Sequence, residues 1–214
     1  MKTSISLEEY LSQYGKQYPK EALDYIKTHF NEESQYDIII QIRSKMNLIS
    51  SKKDIYQGFI KYLNRKGLLQ GEILEVAAGF YPILSERMSK KKKVRITTID
   101  PKLVTTTLPN IRLIKREFPE GVTVERYDTI IAMKPCEATI PIIDMANKHH
   151  KNFSIMICGC APEKYQPIYY TQWENYIYHY ILDTLDEEAI LSVDKLKDSY
   201  ECPFPIYTKT YQKK

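Results

Sequence analysis

Residues 72–82 read EILEVAAGFYP and residues 96–102 read ITTIDPK. Each opens on a run of aliphatic and β-branched residues and closes on a turn, at Gly79 in the first and at Asp100-Pro101 in the second. Short apolar runs bounded by turn residues predict strands buried on both faces. Gly79 lets the backbone pass close to a ligand with no side chain in the way. Asp100 follows Gly79 by 21 residues, close to the ~20 that separate a glycine turn from a ribose-binding acid in nucleotide-type sheets.

The same alternation continues outward from this pair. Strands are expected at 72–77, 94–100, 111–115, 127–133 and 153–158, with helices at 83–89, 139–149 and 171–188. Strands rich in Ile and Val and separated by helices predict an α/β fold, a doubly wound, mostly parallel sheet covered on both sides. The link from 115 to 127 is near the minimum for a parallel crossover, so it must be a loop or a single turn. Residues 205–211 alternate Ile206, Thr208, Thr210 with Tyr207, Lys209, Tyr211, as an edge strand would.

Before Gly67 the period changes from two to three and four. Leu7, Tyr10, Leu11 and Tyr14 share one helical face, Leu23, Ile26 and Phe30 a second, and Ile38, Ile42, Met46 and Ile49 a third. Pro19 suits a helix start, and residues 51–54 supply a start for a helix over 55–65. The expected organisation is therefore an N-terminal helical extension or cap, residues 1–67, and a sheet domain, residues 68–214.

Composition limits the function classes. The 214 residues are 43% hydrophobic, with 31 Lys and Arg against 27 Asp and Glu, a formal charge of +4. That balance tolerates nucleic acid or acidic ligands without announcing them. No apolar run approaches the roughly 18–20 residues of a membrane span, and the N-terminus lacks a secretory apolar core, so the chain reads as cytoplasmic with no membrane partner. Four cysteines, Cys136, Cys158, Cys160 and Cys202, do not make a secreted disulfide framework. Cys158 and Cys160 beside His149 and His150 lack paired metal-ligand spacing, and no metal is expected. The basic run at 90–93, with Arg87 and Arg95, reads as a solvated loop that would meet phosphates if the acceptor were RNA, as would the Lys61, Arg65, Lys66 face.

The turn AAGFYP has one glycine where a dinucleotide site shows three, which argues against pyrophosphate and a nicotinamide enzyme. A cofactor without phosphates needs fewer, because no bulky anion sits against the helix start. EVAAG (75–79), IDP (99–101) and YDTIIA (127–132) together resemble the class I S-adenosylmethionine-dependent methyltransferases, a Rossmann-like family. The resemblance covers roughly residues 70–160. It implies that Glu75, Ala77 and Gly79 line the methionine side, that Asp100 holds the ribose, and that Phe80, Pro101, Met133 and Pro135 complete the cofactor site. Two positions depart from the family's pattern: Ala77 stands for the usual first glycine, and Arg116-Glu117 lies where an acid or small residue often meets adenine. Taken alone, Asp100-Pro101 also suits a helix start.

The fourth strand runs into AMKPCEAT, residues 132–139. In the family this loop faces the transferable methyl group, which makes Lys134, Cys136 and Glu137 the candidate catalytic residues: Lys134 to hold an anionic acceptor, Glu137 to take a proton. Cys136 also resembles the Pro-Cys nucleophile of cytosine-C5 methyltransferases, whose RNA members carry another cysteine after the fifth strand, where Cys158 and Cys160 lie. Tyr165, Tyr169, Tyr170, Trp173, Tyr176, Tyr178 and Tyr180 fall where an acceptor lid is often built, and equally fit a helix face packed on the core. The expected function is methyl transfer to a small molecule or RNA, the alternative a catalytically inactive binding or regulatory protein on the same sheet. No oligomeric state follows from the sequence.

Overall fold

The computed structural model describes residues 20–29, 54–90, 94–104, 107–159, 161–166, 169–196 and 204–211. The helical faces expected at 7–14 and 38–49, and residues 91–93, Cys160 and Cys202, lie outside the described residues.

Among the described residues the helices are α1 (Lys20–His29), α2 (Ile55–Arg65), α3 (Ile83–Met88), α4 (Thr139–Lys148) and α5 (Tyr170–Asp183). The strands are β1 (Gly71–Val76), β2 (Val94–Ile99), β3 (Ile111–Ile114), β4 (Thr129–Met133), β5 (Asn152–Met156), β6 (Ala189–Lys195) and β7 (Pro205–Tyr211). They form one seven-stranded sheet in the order β3-β2-β1-β4-β5-β7-β6. β1 to β5 pair in parallel, while β7 runs antiparallel to β5 and β6. The strand order reverses between β1 and β4, the place where open parallel sheets bind ligands beyond the strands' carboxyl ends.

The period of two in the strands builds two cores. Ile73, Ile131, Met156 and Ile206 pack with Phe59, Leu63, Leu84 and Met88 of α2 and α3. Their neighbours Leu74, Ile130, Ile155 and Tyr207 face the other way and meet Ile142, Ile143, Trp173 and Ile177 of α4 and α5. Every inner strand is thus buried on both faces, which is why the strands read as continuous apolar runs. Asp54 caps α2 by accepting from the amides of Tyr56 and Gln57 at 3.0 and 3.2 Å. It also pairs with Arg87 of α3 at 2.8 Å, fastening the two helices that cover this face. The 115–128 link carries no helix, as its length requires.

Two expectations are corrected. The helix expected over 171–188 ends at Asp183, and the chain returns as β6. The tail strand is not an edge: β7 lies between β5 and β6, and β6 is the edge. The alternation in β7 is misleading because two of its polar members, Thr208 and Lys209, are buried with partners. The Thr208 hydroxyl lies 2.8 Å from the Tyr62 hydroxyl and 2.9 Å from that of Ser154. Lys209 is fully buried and donates to the Ala146 carbonyl at 3.3 Å and the Tyr211 hydroxyl at 2.9 Å. Burial pulls the Lys209 ammonium down to about 8. β6 shows the exposed, interrupted pattern of a true edge.

Candidate active site

β1 and β2 end side by side, with Val76 opposite Ile99. The turn after β1 begins with Ala77 at φ 60° and reaches Gly79 at φ 74°. Both are left-handed, a conformation glycine adopts freely and an L-residue reaches at a cost. Ala77 therefore follows the backbone path that the missing glycine would take. Its amide donates to the Ile99 carbonyl at 3.0 Å, extending the β1–β2 ladder by one bond.

The Gly79 amide donates to Asp100 Oδ2 at 2.8 Å, and the Lys102 amide donates to Oδ1 at 2.7 Å. Asp100 is buried and held rigidly at the lip between β1 and β2. Asp100-Pro101 starts a turn and no helix. The Phe80 carbonyl accepts from the Val104 amide at 3.1 Å, so the two loops are stitched a second time. Helix α1 leans on this stitch: Ala22 and Ile26 are buried against Phe80, Tyr81 and Ile83, and the Tyr25 ring stacks on Phe80 at 4.8 Å.

Glu75 lies one residue back from the end of β1, and its carboxylate turns toward α3. Oε2 accepts from the Ser85 amide at 3.2 Å, from the Ser85 hydroxyl, and from the Thr98 hydroxyl at 3.3 Å. Thr98 is its partner in the β1–β2 register. Burial pushes the Glu75 carboxyl up to about 7; the Ser85 and Thr98 bonds pull against this, and the nearby Asp100 charge adds to it. Ser85 and Thr98 were not singled out from the sequence. The signal was present in the strand register, since an acid on an inner strand needs polar neighbours across the pair.

The β4 side forms the facing lip. Met133 is half-buried and Pro135 buried. Lys134 and Cys136 both take positive φ, 56° and 41°, so the chain doubles back sharply around Pro135. The Lys134 amide donates to the Met156 carbonyl of β5 at 2.7 Å. Glu137 Oε1 accepts from the Glu163 amide at 2.8 Å, tying the turn after β4 to the segment after β5. Cys136 Sγ lies 3.2 Å from Cys158 Sγ. The candidate residues thus fall into two groups, Glu75, Ala77, Gly79, Phe80, Asp100 and Pro101 on one lip, and Met133, Lys134, Pro135, Cys136 and Glu137 on the other.

The remaining candidates divide. Trp173 is wholly buried, with Tyr165 and Tyr176 packed on it at 5.3 and 5.7 Å, so this part of the tyrosine series is a helix face against the core. Tyr169 is exposed. His149 and His150 sit before β5, on Glu125 at 3.1 Å and Asp186 at 3.4 Å, whereas Cys158 lies beyond its other end. Among the described residues no three His, Cys, Asp or Glu side chains gather to hold a metal ion. Nor is any helix there long and apolar enough to cross a membrane. Lys66 of the expected basic face is engaged by Asp194 at 3.0 Å.

Two open hollows, of about 860 and 460 Å³, lie at the amino ends of the strands, one lined by Arg95, Arg112 and Arg126, the other by Asp128, His150 and Asn152. Neither coincides with the Gly79–Asp100 lip. Both hollows lie away from the carboxyl ends of the strands, where open parallel sheets bind their ligands.

The sheet order and the two-layer cover are those of the class I methyltransferase fold. The structure is similar to a putative rRNA methylase from Clostridium thermocellum, with a TM-score of 0.51 and 11% identity over 73% of this chain and 97% of that one. It is also similar to a fibrillarin/Nop5p complex chain, at 0.51 and 10% over 73% and 82%, and to a methyltransferase from Pyrococcus furiosus, at 0.50 and 14% over 72% and 82%. At these identities the likeness is one of fold. No protein-family model matches the chain, and no curated protein matches its sequence.

Proposed function

We propose that this protein transfers a methyl group from S-adenosylmethionine to a small-molecule or RNA acceptor. The observation that carries the reading is the 2.8 Å bond between the Gly79 amide and Asp100. It sets a bare backbone turn and a carboxylate on one lip, at the switch point of a sheet with this fold. The turn also fits the group, because Ala77 keeps the left-handed path of a glycine and adds only a methyl.

When bound, the cofactor supplies an electrophilic methyl on a sulfonium. Asp100 accepts from the ribose hydroxyls, and its two backbone donors fix the carboxylate before the ligand arrives. Ala77, Gly79 and Phe80 offer backbone to the methionine portion, while Pro101, Met133 and Pro135 wall the site. Glu75 acts from behind, holding the end of β1 to α3. Lys134, Cys136 and Glu137 face the acceptor, and the bond from Glu137 to the Glu163 amide braces them. Much of the rate in such a displacement comes from holding donor and acceptor in line with water excluded. The proposed two-part organisation, a cap from residues 1–67 on a sheet domain of residues 68–214, is supported at α1, which packs on Phe80 and Tyr81, whereas α2 packs on the sheet itself beside α3.

Incubation with methyl-labelled S-adenosylmethionine and separate pools of RNA and small metabolites tests the reading. Label appearing in one pool, and lost with Asp100→Ala, supports it. Cofactor binding with no labelled product in either pool would favour a regulatory protein on the same sheet.

A further inference from the structure

The turn after β4 and the end of β5 are joined at three points. The Lys134 amide bonds the Met156 carbonyl at 2.7 Å, Glu137 bonds the Glu163 amide at 2.8 Å, and between these the Cys136 and Cys158 sulfurs stand 3.2 Å apart. β4 and β5 are neighbours with Met133 opposite Met156. Both cysteines lie just past the ends of these neighbouring strands, and it is their side chains that meet. Closing the bond needs the sulfurs to approach to ~2.05 Å. Cys136 is partly exposed and Cys158 is buried behind it.

We infer that Cys136 and Cys158 are an oxidisable dithiol, converted by hydrogen peroxide to a disulfide that locks the turn after β4 to the end of β5. The Cys136 thiolate, the exposed partner, attacks one peroxide oxygen. The O–O bond breaks, water leaves, and a sulfenic acid remains on Cys136. Cys158 then attacks the Cys136 sulfur and expels the sulfenic oxygen as a second water. The two thiols lose two electrons and two protons, and the peroxide takes both. The disulfide withdraws Cys136 from thiol chemistry and fixes the Pro135 turn in one conformation, and a dithiol reductant reverses both effects. Bond formation is read without reference to methyl transfer, so it stands or falls apart from the proposed activity.

The full chain, reduced and then exposed to hydrogen peroxide, is digested without reductant and its linked peptides are mapped by mass spectrometry. The expected product is a 136–158 cross-link with the loss of two hydrogens, abolished in Cys136→Ser and in Cys158→Ser and reversed by dithiothreitol. The Cys160→Ser, Cys202→Ser double variant leaves the pair intact, and in it peroxide should remove every titratable thiol. A link from Cys136 to Cys160 or Cys202 would overturn the inference, as would stable sulfinic acid on Cys136 with no cross-link, or thiols that survive peroxide in the double variant.

Discussion

The buried Glu75 carboxylate accepts from the Ser85 amide at 3.2 Å and from the Ser85 hydroxyl, joining the end of strand β1 to the first turn of α3. The chain here trades stability for position. Burial holds the carboxyl near 7 against an ordinary 4.5, and that difference corresponds to about 3 kcal/mol. Because the folded state holds the proton more tightly than the unfolded state, this cost is absent below the unfolded value, grows between about 4.5 and 7, and is fully present above 7. Glu75→Gln keeps the acceptor for Ser85 and removes the charge. Urea titrations across this range should show the variant more stable than the parent by about 2–3 kcal/mol at pH 8, and level with it near pH 4.5. Parallel pH profiles for the two proteins would refute the assignment.

Ala77 is held at φ 60°. An L-residue pays roughly 1–2 kcal/mol there, and a β-branched side chain pays more. Ala77→Gly relieves the strain but loses a methyl contact and adds freedom to the unfolded chain, so the unfolding free energy should change by less than about 1 kcal/mol. Ala77→Val should cost at least about 2 kcal/mol. Equal stability of the valine variant and the parent would show that the turn adopts another conformation.

The Tyr25 ring stacks on Phe80 at 4.8 Å and on His29 at 4.2 Å, making α1 dependent on the turn after β1. Tyr25→Ala removes an aromatic pair of about 1 kcal/mol and part of the cover over Phe80. Hydrogen exchange should then speed up in residues 20–29 while protection in β1, β4 and β5 is unchanged. Equal acceleration in the central strands would mean that α1 belongs to the cooperative core.

Much of this was legible in the sequence, for a physical reason. β1, β2, β4 and β5 are buried on both faces, so their aliphatic runs left little else to read, and the Gly79-to-Asp100 spacing placed the two turns on one lip. β6 and β7 were harder. Lys209, Thr208 and Thr210 look like the outward side of an edge strand, and only the positions of Asn147, Tyr211, Tyr62 and Ser154 reveal that Thr208 and Lys209 are bonded inside. β6 was absorbed into the preceding helix because residues 184–188 carry no glycine or proline to mark the break. In the site, the left-handed Ala77 and the facing Cys136 and Cys158 are properties of backbone path and strand adjacency, which composition and periodicity do not encode.

The most direct test of the central claim is calorimetric titration of S-adenosylmethionine, with NAD in parallel, into the parent, Asp100→Asn and Asp100→Ala, each checked for an intact fold by thermal melting. Charge-assisted hydrogen bonds are worth about 1.5–3 kcal/mol, so the parent should bind S-adenosylmethionine alone and Asp100→Ala should bind it about 10- to 100-fold more weakly. A parent that binds neither compound, or a folded Asp100→Ala that binds as the parent does, would contradict the account.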